Sequence, residues 1–278
     1  MRRRTLLSAS LGLGSLVGLA AISVRPHTLP QSLQSPAGLE TYSDSDLAFG
    51  TTVSIKVLHD DQLQARKALK AALREVKTID ALMSLYQERS QVYQLNLHGQ
   101  VDAPDRHLMQ VLASAQHLSR LTAGAFDVTV QPLWKVFSRA QANGALPSPD
   151  ELATARSLVN WRQLHISAKR IRLQKSGMAI TLNGLAQGYA VDLALEALQA
   201  NGIKHALLDT GEFGSIGQKQ TGRPWSLGIQ HPRQVDAVLV KLSMDGRKVA
   251  TSGDYETVFS SDYIHHHIFD PASGRSTA

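Results

Sequence analysis

The chain has 278 residues, a net charge of +6, 43% hydrophobic residues and no cysteine, which excludes disulfides and a lipid-modified amino terminus. Without Arg2, Arg3 and Arg4 the net charge falls to +3. No basic run interleaves with aromatics, so nucleic acid is not an expected partner.

Arg2 to Arg4 precede Thr5, Leu6 and Leu7 and an apolar stretch of Leu, Gly, Ala, Ser and Val to about Val24. A charged start, an apolar middle and small residues at the end make residues 1–24 read as an export signal of the twin-arginine kind. The stretch is near the lower limit for a membrane span, and Gly and Ser dilute it, so no lasting span is expected after signal removal. The mature protein is expected in the periplasm. Residues 25–38 form a Pro-, Ser- and Gln-rich spacer, and residues 39–278 are left for the folded part.

Apolar and β-branched residues alternate through Ala48, Phe49, Thr51, Val53, Ile55 and Val57, which predicts a first strand. From Leu63, the positions Leu69, Leu73, Val76, Ile79 and Met83 recur at spacings of three and four, the stripe of an amphipathic helix. A second helix is predicted from about His107 to Leu121, ended by Gly124. Short apolar runs at Leu164 to Ile166, Ile171 to Leu173 and Met178 to Leu182 read as small strands. Ala186 to Asn201 reads as a helix closed by Gly202, and from Ala206 the pattern is mostly strand and turn. Helices mainly in the first half and antiparallel strands in the second indicate an α+β fold.

Four segments carry polar residues and glycines where a core strand would not want them. In the first, Gly124 to Leu133, Asp127 beside Phe126 fits either a ligand contact or a turn. In the second, Leu182 to Asp192, a Gly-containing turn opens a helix, which suits either a phosphate or a plain tight turn. The spacing of Gly184 and Gly188 is not that of a dinucleotide fingerprint. In the third, Leu207 to Gly217, turn glycines explain most of the pattern, and Glu212 is either exposed at a turn or close to a ligand. The fourth runs from Ala250 to Pro271 and holds His265, His266 and His267. On an extended strand neighbours point to opposite sides, so the three cannot share one metal. At most His265 and His267 share a face, and one of them is a candidate acid or base; a solvated polar strand is the alternative.

In order and spacing these pieces resemble the ApbE family of flavin transferases. Phe49 to Thr52 is similar to that family's Met-Gly-Thr start, and Met83 to Tyr86 with Ser90, Leu95 and Asn96 to its Met-Ser-x-Tyr and Ser...Leu-Asn signature. Gly124 to Leu133 resembles Gly-x-Phe-Asp-x-Thr-Val-x-Pro-Leu, and Gly184 to Asp192 resembles Gly-x-x-Lys-Gly-Tyr-x-x-Asp. Thr251 to Tyr255 with His267 to Gly274 resembles the Thr-Ser-Gly-x-Tyr and His-Ile-x-Asp-Pro-x-Thr-Gly pair. Residues 183–189 and 210–212, with the twin-arginine signal, look most like the NosX branch, which is associated with nitrous oxide respiration.

The resemblance implies a single ApbE-type, T-fold-like domain. It implies an enzyme that takes FAD as substrate, attaches its FMN half through a phosphoester to a Ser or Thr of a target protein, and releases AMP, with Mg2+ neutralising the pyrophosphate. Splitting of FAD by water and non-catalytic flavin carriage are the rival functions. The expected partner is a membrane-bound flavin acceptor of the NosR type. His267 is implied as the catalytic base. Phe49, Tyr86, Ala125, Phe126 and Asp127 are implied to hold the flavin, Thr181 and Gln187 to lie beside the cofactor, Ile268 to contact it, and the backbone carbonyl of Gly184 to face the metal. Phe49 stands where the family has Met, and Thr181 and Gln187 stand where many members carry charge, so contacts there lose charge. Family members continue with a further strand and an Ala-Asp-x-x-x-Thr segment that binds magnesium. The resemblance therefore implies a truncated chain, with side-chain metal ligands expected beyond residue 278.

Overall fold

The computed structural model describes residues 38–220 and 222–277. The export-type signal and the spacer up to residue 37 lie outside them. The elements in chain order are β1 (Glu40–Ala48), β2 (Thr51–His59), α1 (Gln62–Met83), α2 (Gln91–His98), β3 (Gln100–Asp102), α3 (Arg106–Leu121), α4 (Gln131–Ala142), α5 (Pro149–Arg156), β4 (Leu164–Ile166), β5 (Arg170–Leu173) and α6 (Ala186–Ala200). Five strands follow: β6 (His205–Asp209), β7 (Phe213–Ile216), β8 (Gln218–Gln220), β9 (Arg223–His231) and β10 (Gln234–Met244). Helices dominate the first half and antiparallel strands the second, the expected α+β pattern. Among the described residues no helix is long and apolar enough to cross a membrane.

The fold divides into two compact units, with boundaries inside α1 and α6. The first comprises the described residues up to Leu73 together with Ala194–Ala250. It is built on an antiparallel sheet of order β1-β2-β6-β7 and a three-stranded one of order β10-β9-β8. In β2 the alternation foreseen in the sequence is real, since Val53, Ile55 and Val57 are fully buried. The predicted strand from Ala48 is nevertheless a hairpin. Phe49 and Gly50 take left-handed φ values of 54° and 75°, and Ala48 pairs with Thr51 across this two-residue turn. β1 escaped notice because it is a polar edge strand, Glu-Thr-Tyr-Ser-Asp-Ser-Asp, exposed along most of its length. Leu58, Trp225, Leu227 and Met244 form a buried cluster on this unit's strands, and the Trp225 indole N–H donates to the Ile216 carbonyl at 3.1 Å. Gly217, at φ +59°, connects β7 to β8 where a Cβ would stand 2.2 Å from the Lys204 carbonyl oxygen. No other residue fits there.

The second unit comprises Arg74–Leu193 and Thr251–Ala278. Its only sheet among the described residues is small, of order β3-β5-β4. β4 and β5 match the sequence reading. α3 matches as well, and its end is sealed by the Gly124 N–H, which donates to the Ser119 carbonyl at 2.8 Å. Two expectations need correction. Met178 to Leu182 is buried but belongs to no strand, because its backbone groups bond to a side chain and a loop instead of a neighbouring strand. The histidine segment is not a strand either; it has only isolated bridges, Val258 with His266 and Phe269 with Ser276.

That terminal segment is fastened by aromatic packing. Phe259 and Phe269 are buried against Leu133, Val136 and Phe137 of α4 and Ala155 of α5. The Phe137 ring lies 5.2 Å from Phe259 and 5.3 Å from Phe269, distances at which tilted rings attract beyond the area they bury.

Candidate active site

The site residues of the second unit sit on irregular backbone, so polar side chains must satisfy the groups that a sheet would otherwise pair. Asn96 of α2 does this for residue 180. Its amide donates to the Ile180 carbonyl at 2.8 Å, and its oxygen accepts the Ile180 N–H at 2.7 Å, so one side chain replaces a strand partner. The Thr181 N–H donates to the Val128 carbonyl at 2.8 Å. Two chain-distant segments, 125–130 and 178–184, are thereby held side by side.

Asp127 is the anchor of the first of these segments. Its carboxylate accepts the Thr129 N–H at 2.7 Å, the Thr129 hydroxyl at 2.6 Å and, through its other oxygen, the Trp161 N–H at 2.9 Å. Only 7% of the residue is exposed, and burial pushes its carboxyl up against the pull of those donors. Of the two readings open in the sequence, its contacts are those of a turn-former. Next to it the Phe126 ring approaches Gly184, where a Cβ would lie 3.9 Å from the ring edge. The flavin-side candidates Ala125 and Phe126 and the turn at Gly184 are thus one neighbourhood.

The turn into α6 uses its own polar groups. Leu185 and Ala186 N–H both donate to the Leu182 carbonyl at 2.8 Å, and the Asn183 N–H reaches the Thr181 hydroxyl at 3.3 Å. Those three N–H groups serve the tight turn. Gln187 lies in the first turn of the helix, where the helix dipole is positive. Tyr86, by contrast, has its side chain in the open, 75% exposed, while its N–H is held by the Ser84 hydroxyl at 3.1 Å. Ser90, fully buried, caps α2 and donates to the Ser84 carbonyl at 2.6 Å. Phe49 belongs to the first unit, as does Glu212. The latter sits in the β6–β7 hairpin loop, where its carbonyl accepts the Thr210 N–H at 3.0 Å.

The three histidines differ in environment. His266 is buried; its Nε2–H donates to the Thr277 carbonyl at 2.9 Å, and its Nδ1 accepts the Ile268 N–H at 3.3 Å. Both ring nitrogens are used in holding the segment together. His265 lies 6.0 Å from the Phe137 ring. His267 is half-buried, with Nδ1 3.3 Å from the Thr257 carbonyl, an acceptor that places the proton on Nδ1 and leaves a lone pair on Nε2. Burial holds this imidazole below the usual histidine range, although the Thr257 carbonyl pulls the other way. A neutral imidazole with Nε2 available can take a proton from a hydroxyl near neutral pH. Ile268 follows it, with its carbonyl accepting the Thr277 N–H at 2.9 Å.

One arrangement had no signal in the sequence. His107 of α3 and Tyr189 of α6 are 82 residues apart, yet Nδ1 and the phenol oxygen are 2.7 Å apart, and that phenol donates to the Gln110 side chain at 3.1 Å. This tie fixes the first turns of α6 to α3.

A sequence profile of the ApbE family matches residues 49–278. This chain belongs to the ApbE family. As an ApbE-family chain it is 29% identical over 235 residues to the FAD:protein FMN transferase of Vibrio cholerae serotype O1, covering 81% of this chain and 70% of that protein. It is 28% identical to the protein of the same name from Treponema pallidum, covering 86% and 72%. The solved ApbE protein of Thermotoga maritima superposes with a TM-score of 0.75 at 31% identity, covering 85% of this chain and 78% of that one. The apo flavinyl transferase ApbE of Pseudomonas stutzeri gives 0.74 at 26% identity, covering 89% and 78%. The ApbE-type fold expected from the motifs is therefore the fold observed.

Among the described residues no group of three or more His, Asp or Glu side chains could hold a metal. The Gly184 carbonyl alone is a weak site for a divalent ion, which seeks several oxygen ligands.

Proposed function

We propose that this ApbE-family chain is an exported FAD:protein FMN transferase. A Ser or Thr hydroxyl of an acceptor protein attacks the flavin-side phosphorus of FAD. The new O–P bond forms, the pyrophosphate bond breaks, FMN remains on the acceptor as a phosphoester and AMP leaves. The observation that carries this reading is the placement of His267: half-buried, which holds its imidazole below the usual range, with Nδ1 3.3 Å from the Thr257 carbonyl, so that Nε2 is the nitrogen left to accept the hydroxyl proton. Phe126, the Gly184 turn and the exposed Tyr86 ring supply apolar and backbone surface for the flavin. Asp127 and Thr181 act on the backbone that presents them.

The relatives' names support FAD and a protein acceptor as substrates. We take the acceptor to be a membrane-bound redox protein of the NosR type, met in the periplasm after twin-arginine export, and place the chain in the NosX branch. Mg2+ belongs to this reading as the counter-ion of the pyrophosphate, and among the described residues no cluster of three His, Asp or Glu side chains is formed to hold it.

The test is incubation of the mature protein with FAD, Mg2+ and a Ser- or Thr-bearing acceptor, scoring AMP and acceptor-bound flavin fluorescence. Flavin on the acceptor with stoichiometric AMP is the expected result. AMP without labelled acceptor would make the protein a hydrolase, and bound FAD with neither product would make it a carrier. His267→Ala is expected to keep FAD binding and to lose transfer by about 10²- to 10⁴-fold. Unchanged turnover would remove His267 from the mechanism.

A further inference from the structure

The second unit has an open cleft of about 350 Å³ between α5 and the turn after Asp270, and neither His267 nor Gly184 is among the residues that line it. One wall is the face of α5 formed by Pro149, Leu152 and Arg156, and the other carries Ser273 and Arg275. The wall chemistry is divided, with an apolar side at Pro149 and Leu152 and two guanidinium groups with serine hydroxyls elsewhere.

Both walls are built. The Asp270 carboxylate accepts the Ala272 and Ser273 N–H groups at 3.0 and 3.1 Å, and the Gly274 N–H returns to the Asp270 carbonyl at 2.8 Å. Those bonds lock the turn that presents Ser273 and Arg275. Gly274, at φ +74°, lies so close to α5 that a Cβ there would be 3.3 Å from Cγ of Arg156 and 3.2 Å from Leu133. Cβ and Cγ of Arg156 therefore pack on Gly274, and Arg156 is one of the residues that line the cleft. Neither Arg156 nor Arg275 has a side-chain hydrogen bond or ion pair among the described residues, whereas Arg139, one helix away, is paired with Glu151 at 2.9 Å. A third cation stands close by, since Lys175 Nζ donates to the carbonyl and hydroxyl of Ser157, another lining residue, at 3.1 and 3.3 Å.

Two arginines without side-chain partners that line one cleft can each offer paired N–H donors to an oxyanion, while the Ser273 hydroxyl is spent on the Asp270 carboxylate. The volume is enough for a small organic molecule, and the apolar wall suits a ring or aliphatic body carrying that anion. The geometry points to a binding site for a phosphate monoester on an apolar body, distinct from the His267 site and independent of whether the chain transfers FMN. One such ester could be free in solution, as a nucleotide is, or be presented by a larger molecule. What the cleft recognises in either case is the dianionic phosphate with its adjoining apolar group.

Phenyl phosphate, inorganic phosphate and AMP are titrated by calorimetry into the full mature chain at low ionic strength, with and without saturating FAD. Phenyl phosphate is expected to bind saturably in the millimolar range, more tightly than inorganic phosphate by at least about threefold, and to weaken with added salt. Arg275→Gln and Arg156→Met, the latter keeping the stem that packs on Gly274, are each expected to raise the dissociation constant about tenfold. Circular dichroism of both variants verifies that the unit remains folded, and Arg139→Gln, outside the cleft, should leave the constant unchanged. AMP binding at least as tightly as phenyl phosphate identifies a free nucleotide as the source. AMP binding more weakly than phenyl phosphate assigns the ester to a carrier other than a free nucleotide. The proposal is overturned by absence of saturation below about 10 mM, by insensitivity to both arginine variants, by inorganic phosphate binding as tightly as phenyl phosphate, or by loss of binding when FAD is saturating.

Discussion

The two units solve the problem of buried backbone in different ways. In the first, main-chain ladders do it: β2 lies between β1 and β6 with continuous antiparallel register, and its fully buried side chains, Val53, Ile55 and Val57, are purely apolar. In the second, the segments that form the candidate site have few ladders, and single polar side chains take the place of whole strands. Asn96 pairs with both backbone groups of Ile180, Asp127 gathers three donors, and His266 with Ser276 closes the terminal segment through bonds at 2.8 and 2.6 Å. A sheet spreads its stability over many equivalent bonds, whereas a clip concentrates it in one residue. The site unit should therefore be sensitive to single polar deletions and the sheet unit to loss of apolar volume.

The largest effect is expected for Asp127→Ala. It strands the N–H groups of Thr129 and Trp161 and the Thr129 hydroxyl, and removal of a buried charged acceptor should cost about 3 to 5 kcal/mol in urea unfolding. Asn96→Ala should cost about 2 kcal/mol and speed hydrogen exchange at the Ile180 amide while leaving the amides of β2 protected. Ile55→Val in the first unit should cost about 1 kcal/mol, the usual figure for one buried methyl group. Should Ile55→Val cost more than Asp127→Ala in the same assay, the contrast between ladder and clip would be wrong.

The smallest effect concerns pH. His267 has a folded-state pKa below its unfolded value, so protons bind more readily to the unfolded chain. Its contribution to stability is present above the ordinary histidine pKa and is lost as pH falls through the depressed folded value. Unfolding free energy should thus decline on acidification below about pH 6.5, and His267→Gln should make that decline shallower. An identical slope in the variant would place the titration on another group.

The same contrast explains what could be read in advance. α1, α3 and α6 carry periodic apolar residues over many positions, and each formed where its pattern indicated, while β2 formed over the later part of its predicted strand, after the Phe49–Gly50 turn. Met178 to Leu182 is as apolar as any strand, but its neighbours are a side chain and a loop, which no local pattern encodes. β1 failed in the opposite sense, being strand in structure and polar in sequence because it is paired on one side only. In the site, the motif residues were visible as types, and their jobs were not: Asp127 reads equally as ligand contact or turn until its three donors are known.

From sequence alone came the α+β class, the absence of disulfides and the family likeness, and it was that likeness which singled out His267 among three adjacent histidines. These follow from composition, period and residue order, which are properties of the chain itself. Only the tertiary structure decided that His266 is consumed by two bonds while His267 keeps Nε2 available. It also joined Phe126 to the Gly184 turn and left Arg156 and Arg275 unpaired across one cleft. Most of those facts depend on partners 10 to more than 100 positions away, as when Thr277 approaches His266 or Arg275 lines one cleft with Arg156. Protonation and pairing are set by whatever atoms fold into reach, and periodicity does not specify them.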